Sequence, residues 1–202
     1  MTDVAIVTLD GFNELDSFGA STIVNRCRKS GLSAWITTPT PTVTSMNGVQ
    51  LSGQRPLEFV AEADVVLIGS GVRTREFAAG GPLLEELLEA LRLAPERQLI
   101  GSQCSGALLL ARLGLLEAMP ACTDVVTRPF LEACDVRVLD APFHAEGRLA
   151  TAGGCLASQY LAGWVILRTL GEDAVREAFG YVAPVGEEKA TVEHVLEVVQ
   201  AA

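Results

Sequence analysis

Histidine is scarce: His144 and His194 are the two in a chain of 202 residues. Neither stands with an acid at metal-ligand spacing, so a mechanism or metal centre built on several imidazoles is not expected. His144 follows Pro142-Phe143 and His194 lies in an apolar-periodic C-terminal stretch, and both read as structural or surface residues. Paired cysteines are missing too. Cys27, Cys104, Cys122, Cys134 and Cys155 are odd in number, scattered, and form no C-x-x-C pair. That argues against a disulfide framework or a structural zinc site and suits a reducing cytoplasm. Positive charge is in deficit, with 15 Lys and Arg against 25 Asp and Glu and a formal net charge of -10. A nucleic-acid partner is not expected, because its surface would carry a basic patch. No apolar run approaches the roughly 18 residues of a membrane span. The start, Met1-Thr2-Asp3, puts an acid where a secretion signal has cations. Neither membrane nor export is expected.

What is present is a globular composition. Nearly half the residues, 49%, are hydrophobic, and the length suits one domain with one sizeable core. Val4–Leu9, Leu32–Thr37, Asp64–Gly69 and Gln98–Ser102 are short apolar runs of the kind that form strands covered on both faces. Ala121–Val126, Val136–Val138 and Arg148–Thr151 are further short strand candidates, and Val43–Leu51 reads as a hairpin around Asn47-Gly48. Helical spacing runs from Glu14 to Lys29, with Leu15, Phe18, Ile23 and Cys27 toward the core, and Gly31 stops it. Pro82–Leu93, Ser105–Leu113, Ser158–Leu170 and Val192–Val199 are the other helices. Strands alternating with helices predict an α/β fold, a mostly parallel sheet with helices on both faces.

In such sheets function collects at the carboxyl ends of the strands. Cys104 sits there, between a buried strand and an apolar helix, with Ser102 two residues before it and Gly106 two after. Small neighbours are what a nucleophile on a sharp strand-to-helix turn needs. The first free N–H groups of the helix would favour its thiolate. A packed structural cysteine is the other reading of the same residues. Asp16 and Glu14, at the start of the first helix, are rival carboxylates for acid/base work, and each is equally readable as a dipole-stabilised helix-start residue. Gly69-Ser70-Gly71-Val72 offers backbone N–H groups that, with the N–H of Ser105, could form an oxyanion hole. There is no G-x-G-x-x-G and no P-loop lysine, so a nucleotide is not expected.

Together these pieces resemble the DJ-1/PfpI (ThiJ/PfpI) superfamily, a branch of the class I glutamine amidotransferase-like folds. The markers are Leu15-Asp16-Ser17-Phe18-Gly19, Ile68-Gly69-Ser70-Gly71, Ser102-Gln103-Cys104-Ser105-Gly106 followed by Leu113-Gly114-Leu115-Leu116, and Gly147 to Gly154. The resemblance runs from Val4 to Tyr181. It implies a flavodoxin-like three-layer sandwich over the whole chain, 1–202, a homodimer, and a nucleophilic Cys104. The Leu-Asp-x-x-Gly segment is most similar to the isocyanide hydratase group, which implies Asp16 rather than Glu14 as acid/base. It further implies Gly71 and Ser105 as backbone donors, with Val72, Gln103, Thr123 and Asp124 around a small-molecule substrate. An isocyanide would then become an N-substituted formamide through a thioimidate on Cys104, with no metal or other cofactor.

Two departures bear on that transfer. Protease-like members carry His after the cysteine, where Ser105 stands here. Many hydratase-like members have Thr-Thr-His-Trp where this chain has Cys122-Thr123-Asp124-Val125, which changes the pocket's charge and raises Cys122 as either a second thiol or a packed one. A glyoxalase-like activity on 2-oxoaldehydes and a ligand-binding or cysteine redox-sensing role are the alternatives. The first would want a glutamate and a histidine near the thiol; the second would oxidise Cys104.

Overall fold

The structure is a computed structural model describing residues 1–201, the side chain of Leu83 apart. In chain order the elements begin with β1 (Thr2–Val7), α1 (Glu14–Val24), β2 (Leu32–Thr38), β3 (Thr42–Thr44), β4 (Gln50–Ser52) and β5 (Arg55–Pro56). β6 (Val65–Ile68), α2 (Thr74–Ala78), α3 (Pro82–Ala90), β7 (Leu99–Gln103), α4 (Ala107–Arg112) and α5 (Arg128–Glu132) follow. The last are β8 (Phe143–Glu146), β9 (Leu149–Ala152), α6 (Ser158–Leu170), α7 (Glu172–Val182) and α8 (Glu188–Gln200). Seven strands form one sheet in the order β5-β2-β1-β6-β7-β9-β8, and β3 pairs β4 as a separate hairpin. Within the seven-stranded sheet pairing is parallel except for the antiparallel β8–β9 edge, and the β3–β4 hairpin is antiparallel.

Successive strand residues point to opposite faces, which is why β1 needs an unbroken apolar run. Val4 and Ile6 join the core with Val24, Leu161, Trp164, Phe179 and Val195, under α1, α6, α7 and α8. Ala5 and Val7 join the other core with Leu84, Leu87 and Leu108 to Leu110, under α3 and α4. The result is the expected flavodoxin-like three-layer α/β sandwich. Each fully enclosed side chain such as Leu109 or Phe179 contributes about 1.5–3 kcal/mol by leaving water.

Of the apolar positions expected inward along Glu14 to Lys29, Cys27 is buried in the core and Phe18 and Ile23 pack against it, but Leu15 faces out. Leu15 is 53% exposed, Phe18 and Ile23 are half-buried, and the buried face is Asp16, Ser17, Ala20 and Val24. α1 lies so close to α6 that a Cβ on Gly19 would meet Ser158 Oγ at 2.5 Å, so small and polar residues make the contact. The helix ends at Val24, and Asn25–Ser30 continues as a 3-10 segment to Gly31. Ala121–Val126 and Val136–Val138 are not strands; a single bridge joins Ala121 to Val138. Asp124 Oδ1 accepts the backbone N–H groups of Val126 and Thr127 at 3.0 and 2.9 Å, and that local turn wins over β propensity. Val125 and Val126 are left 87% and 63% exposed. β8, α2, α5 and α7 were not expected; β8 carries a readable signal, alternating residues joined to β9 by Gly147-Arg148, with Gly147 at φ +58°.

Candidate active site

Cys104 follows directly from β7, and its φ is +46°. A non-glycine residue in the left-handed region costs about 1–3 kcal/mol and persists only where its surroundings over-determine it. They do so here. A Cβ on Gly106 would stand 2.6 Å from Ile68 O and 2.9 Å from Gly69 O, so the elbow is pressed against the end of β6. Thr123 Oγ1 donates to Cys104 O at 2.9 Å from the other side.

Asp16 enters from the first turn of α1, whose start is capped by Asn13 Oδ1 accepting from Leu15 N at 3.0 Å. The side chain turns inward, and the residue is 2% exposed. Ser70 Oγ donates to Asp16 Oδ2, while Oδ1 has no hydrogen-bond partner. Burial pushes the Asp16 carboxyl up to about 6, against the opposing pull of Ser70 and of the thiols of Cys104 and Cys155. Cys104 is 3% exposed. Burial pushes its thiol well above the usual thiol range, and the negative charge of Asp16 pushes it further. Desolvation and the neighbouring carboxylate therefore act against the activation expected at the helix start. Near neutral pH the pair is a carboxylate beside a neutral thiol.

A cavity of about 260 Å³ opens over this pair, lined among others by Asn13, Met46, Ser70, Gly71, Val72, Arg75, Asp124, Val126 and Cys155. A larger one of about 380 Å³, beside Asp10, Arg73 and Phe77, contains neither Asp16 nor Cys104. Of the sequence-expected residues, Cys104, Gly71, Ser105, Val72 and Asp124 line the smaller cavity, with Asp16 just beneath it. Gly71 N–H faces Ser105 Oγ at 3.4 Å, a long contact. Gln103 does not line it; its Nε2 donates to Gly154 O at 2.7 Å behind the elbow. Thr123 likewise braces Cys104 from behind and borders a neighbouring cavity.

Glu14 is turned away, its carboxylate taking Ser45 Oγ and Asn47 Nδ2. His144 contacts Glu146 and His194 contacts Tyr160, both away from the thiol. Cys122 is packed: its N–H donates to Thr151 Oγ1 at 2.8 Å, and burial raises its thiol to about 11. The second thiol is Cys155, in the 3-10 turn Cys155–Ala157. A carboxylate oxygen of Asp16 and the sulfurs of Cys104 and Cys155 lie within 4.8 Å of one another. Asn13, Ser70 and Cys155 had no site role assigned from the sequence, although Ser70 lies in the Gly69–Val72 loop read there. Cys155 follows Gly153-Gly154 after a buried strand, and that position at a strand's carboxyl end is the signal that could have found it.

No family model matches the sequence, and no curated protein matches it. Solved structures do. Schizosaccharomyces pombe DJ-1 superposes with a TM-score of 0.76 at 17% identity, covering 91% of this chain and 100% of that one. The fold is that of the DJ-1/ThiJ/PfpI superfamily. A DJ-1 superfamily protein from Salmonella typhimurium gives a TM-score of 0.74 at 21% identity, over 90% of this chain and 98% of that one. An AraC family transcriptional regulator from Pseudomonas putida gives 0.71 at 18%, over 91% and 100%. On this DJ-1 fold the elbow cysteine, the α1 carboxylate and the two glycine-bearing loops meet at the carboxyl ends of β1, β6, β7 and β9. No described helix is long and apolar enough to cross a membrane.

Proposed function

We propose that this chain is a cofactor-free, cysteine-dependent hydratase or hydrolase of a small electrophile, with isocyanides as the substrate class. The observation that carries the reading is Cys104, held at positive φ under a cavity, with the buried Asp16 carboxylate within 4.8 Å of its sulfur. Above about pH 6 Asp16 is ionised and placed to take the thiol proton as Sγ attacks. The terminal carbon of R–N≡C gains the S–C bond and that proton, giving R–N=CH–S–Cys104. Water then adds to the same carbon, the C–S bond breaks, and R–NH–CHO leaves as the thiol is restored. No electrons are gained or lost overall. The N–H groups of Gly71 and Ser105 serve the developing charge, and the contact of Gly71 N–H to Ser105 Oγ is long enough to yield to substrate.

A glyoxalase reading has less support, because Glu14 and both histidines point elsewhere. A peroxide-sensing reading has less as well, since an oxidation-prone thiol is accessible and ionised. We also propose a cytoplasmic homodimer built from one domain. Exposed apolar Met46, Val72 and Val126 at the cavity rim support a covering subunit, and the five free thiols support a reducing compartment. The test is formamide production from a small alkyl isocyanide by wild type and Cys104→Ala. Turnover should vanish in the variant with the circular dichroism unchanged; retained turnover would remove Cys104 from the mechanism.

A further inference from the structure

The hydratase chemistry leaves Cys155 without a role, and Cys155 is not placed at random. Its sulfur, that of Cys104 and a carboxylate oxygen of Asp16 come from three separate segments, the turn after β9, the elbow after β7 and the start of α1, and converge to within 4.8 Å. Among the described residues no other three such donors converge this way. Both sulfurs also face side-chain amides as acceptors. Asn13 Nδ2 donates to Cys155 Sγ at 3.0 Å, and Gln103 Nε2 lies 3.6 Å from Cys104 Sγ. N–H groups aimed at sulfur are the outer contacts that orient metal-bound thiolates. Asp16 Oδ1, on a residue 2% exposed, has no hydrogen-bond partner. That carboxylate and the two sulfurs are donors of the kind a metal ion takes.

We propose that Asp16, Cys104 and Cys155 form a binding site for a soft divalent cation of the zinc class, with two thiolates, one carboxylate and a fourth position open to the cavity. Zinc–sulfur bonds near 2.3 Å and zinc–oxygen bonds near 2.0–2.2 Å put tetrahedral S and O donors roughly 3.5–3.8 Å apart, so the three need close in by about 1 Å at most. Two thiols select against magnesium and calcium, which prefer oxygen. Loading replaces two S–H bonds by two metal–sulfur bonds and releases two protons to solvent, with no redox change. It also occupies the sulfur that the proposed hydratase reaction uses, so the metal-loaded chain is inert toward electrophiles. That last consequence alone rests on the hydratase reading.

The test titrates the reduced, metal-free protein with Co²⁺ as the spectroscopic probe and then displaces it with Zn²⁺. One equivalent should bind with a thiolate-to-cobalt charge-transfer band. Cys155→Ser should roughly halve that band and weaken affinity at least about tenfold. Asp16→Asn should keep the band but weaken affinity by about 10–100-fold, and the Cys104→Ser, Cys155→Ser double variant should show no band. A Zn²⁺ titration of wild type in weak buffer, which needs no variant, should release close to two protons per metal. Absence of the band, its survival undiminished in Cys155→Ser, or negligible proton release would each overturn the site. Failure of the metal titration with Cys104-dependent turnover intact would sink this proposal alone; a normal band with turnover independent of Cys104 would sink only the hydratase reading.

Discussion

Replacing Asp16 by Asn separates two effects that the carboxylate has on Cys104. Asparagine keeps the shape of the protonated acid and removes the charge. In the wild type, raising the pH through about 6 ionises Asp16, and each further loss of a proton from sulfur must then be made beside that charge. The reactive state, thiolate with protonated Asp16, therefore stops growing above about pH 6, and alkylation should level off there. In Asp16→Asn nothing intervenes, and the thiolate fraction keeps rising tenfold per pH unit. The variant should react with iodoacetamide no faster than wild type at pH 6 and about a hundred-fold faster at pH 8. The Coulomb term leaves room for that difference: two like unit charges 4.8 Å apart, the widest spacing of these atoms, repel at an effective dielectric of about 20 by about 3.5 kcal/mol, roughly 300-fold. Formamide production should move the other way, because the proton acceptor is gone. Labelling located by mass spectrometry and rated from pH 5 to 9 decides the matter. Slower or unchanged labelling of Asp16→Asn at pH 8 would refute the electrostatic coupling.

Two further outcomes follow from the same geometry. Because the folded-state pKa of Asp16 is raised from 3.8 to about 6, its contribution to stability is full below pH 4 and lost as pH rises to 6; Asp16→Asn should therefore be more stable by about 3 kcal/mol at pH 7 and no more stable at pH 3.5, read by urea unfolding at both. Gly106→Ala places a Cβ 2.6 Å from Ile68 O, and should lower stability by about 1–3 kcal/mol while slowing Cys104 chemistry; an unchanged urea midpoint would show that the elbow is not pressed against β6.

The sheet and its helices were legible because parallel strands and amphipathic helices write their burial as local periodicity. β1, β6, β7 and α6 are apolar runs of the right length, and Ser158–Leu170 coincides with its observed helix. The elbow was legible as well, since only small neighbours fit Cys104 at that turn. Where a polar side chain turned the chain, as Asp124 does after Thr123, local hydrogen bonding won over β-branched residues and the strand reading failed. Along Glu14 to Lys29 the apolar spacing placed Phe18, Ile23 and Cys27 at the core but missed that close packing of α1 on α6 makes the rest of the buried face small and polar.

Sequence alone determined the layered α/β architecture and the place of Cys104 at a strand end, because each is written in residues near one another along the chain. Tertiary structure decided the rest. It buried Asp16 beside the elbow and left Glu14 on Ser45 and Asn47. It also brought Cys155 across 51 residues to the elbow and kept the Cys104 thiol neutral. Proximity between segments and the loss of water around a charge are properties of the packed molecule, and no spacing in the sequence encodes them.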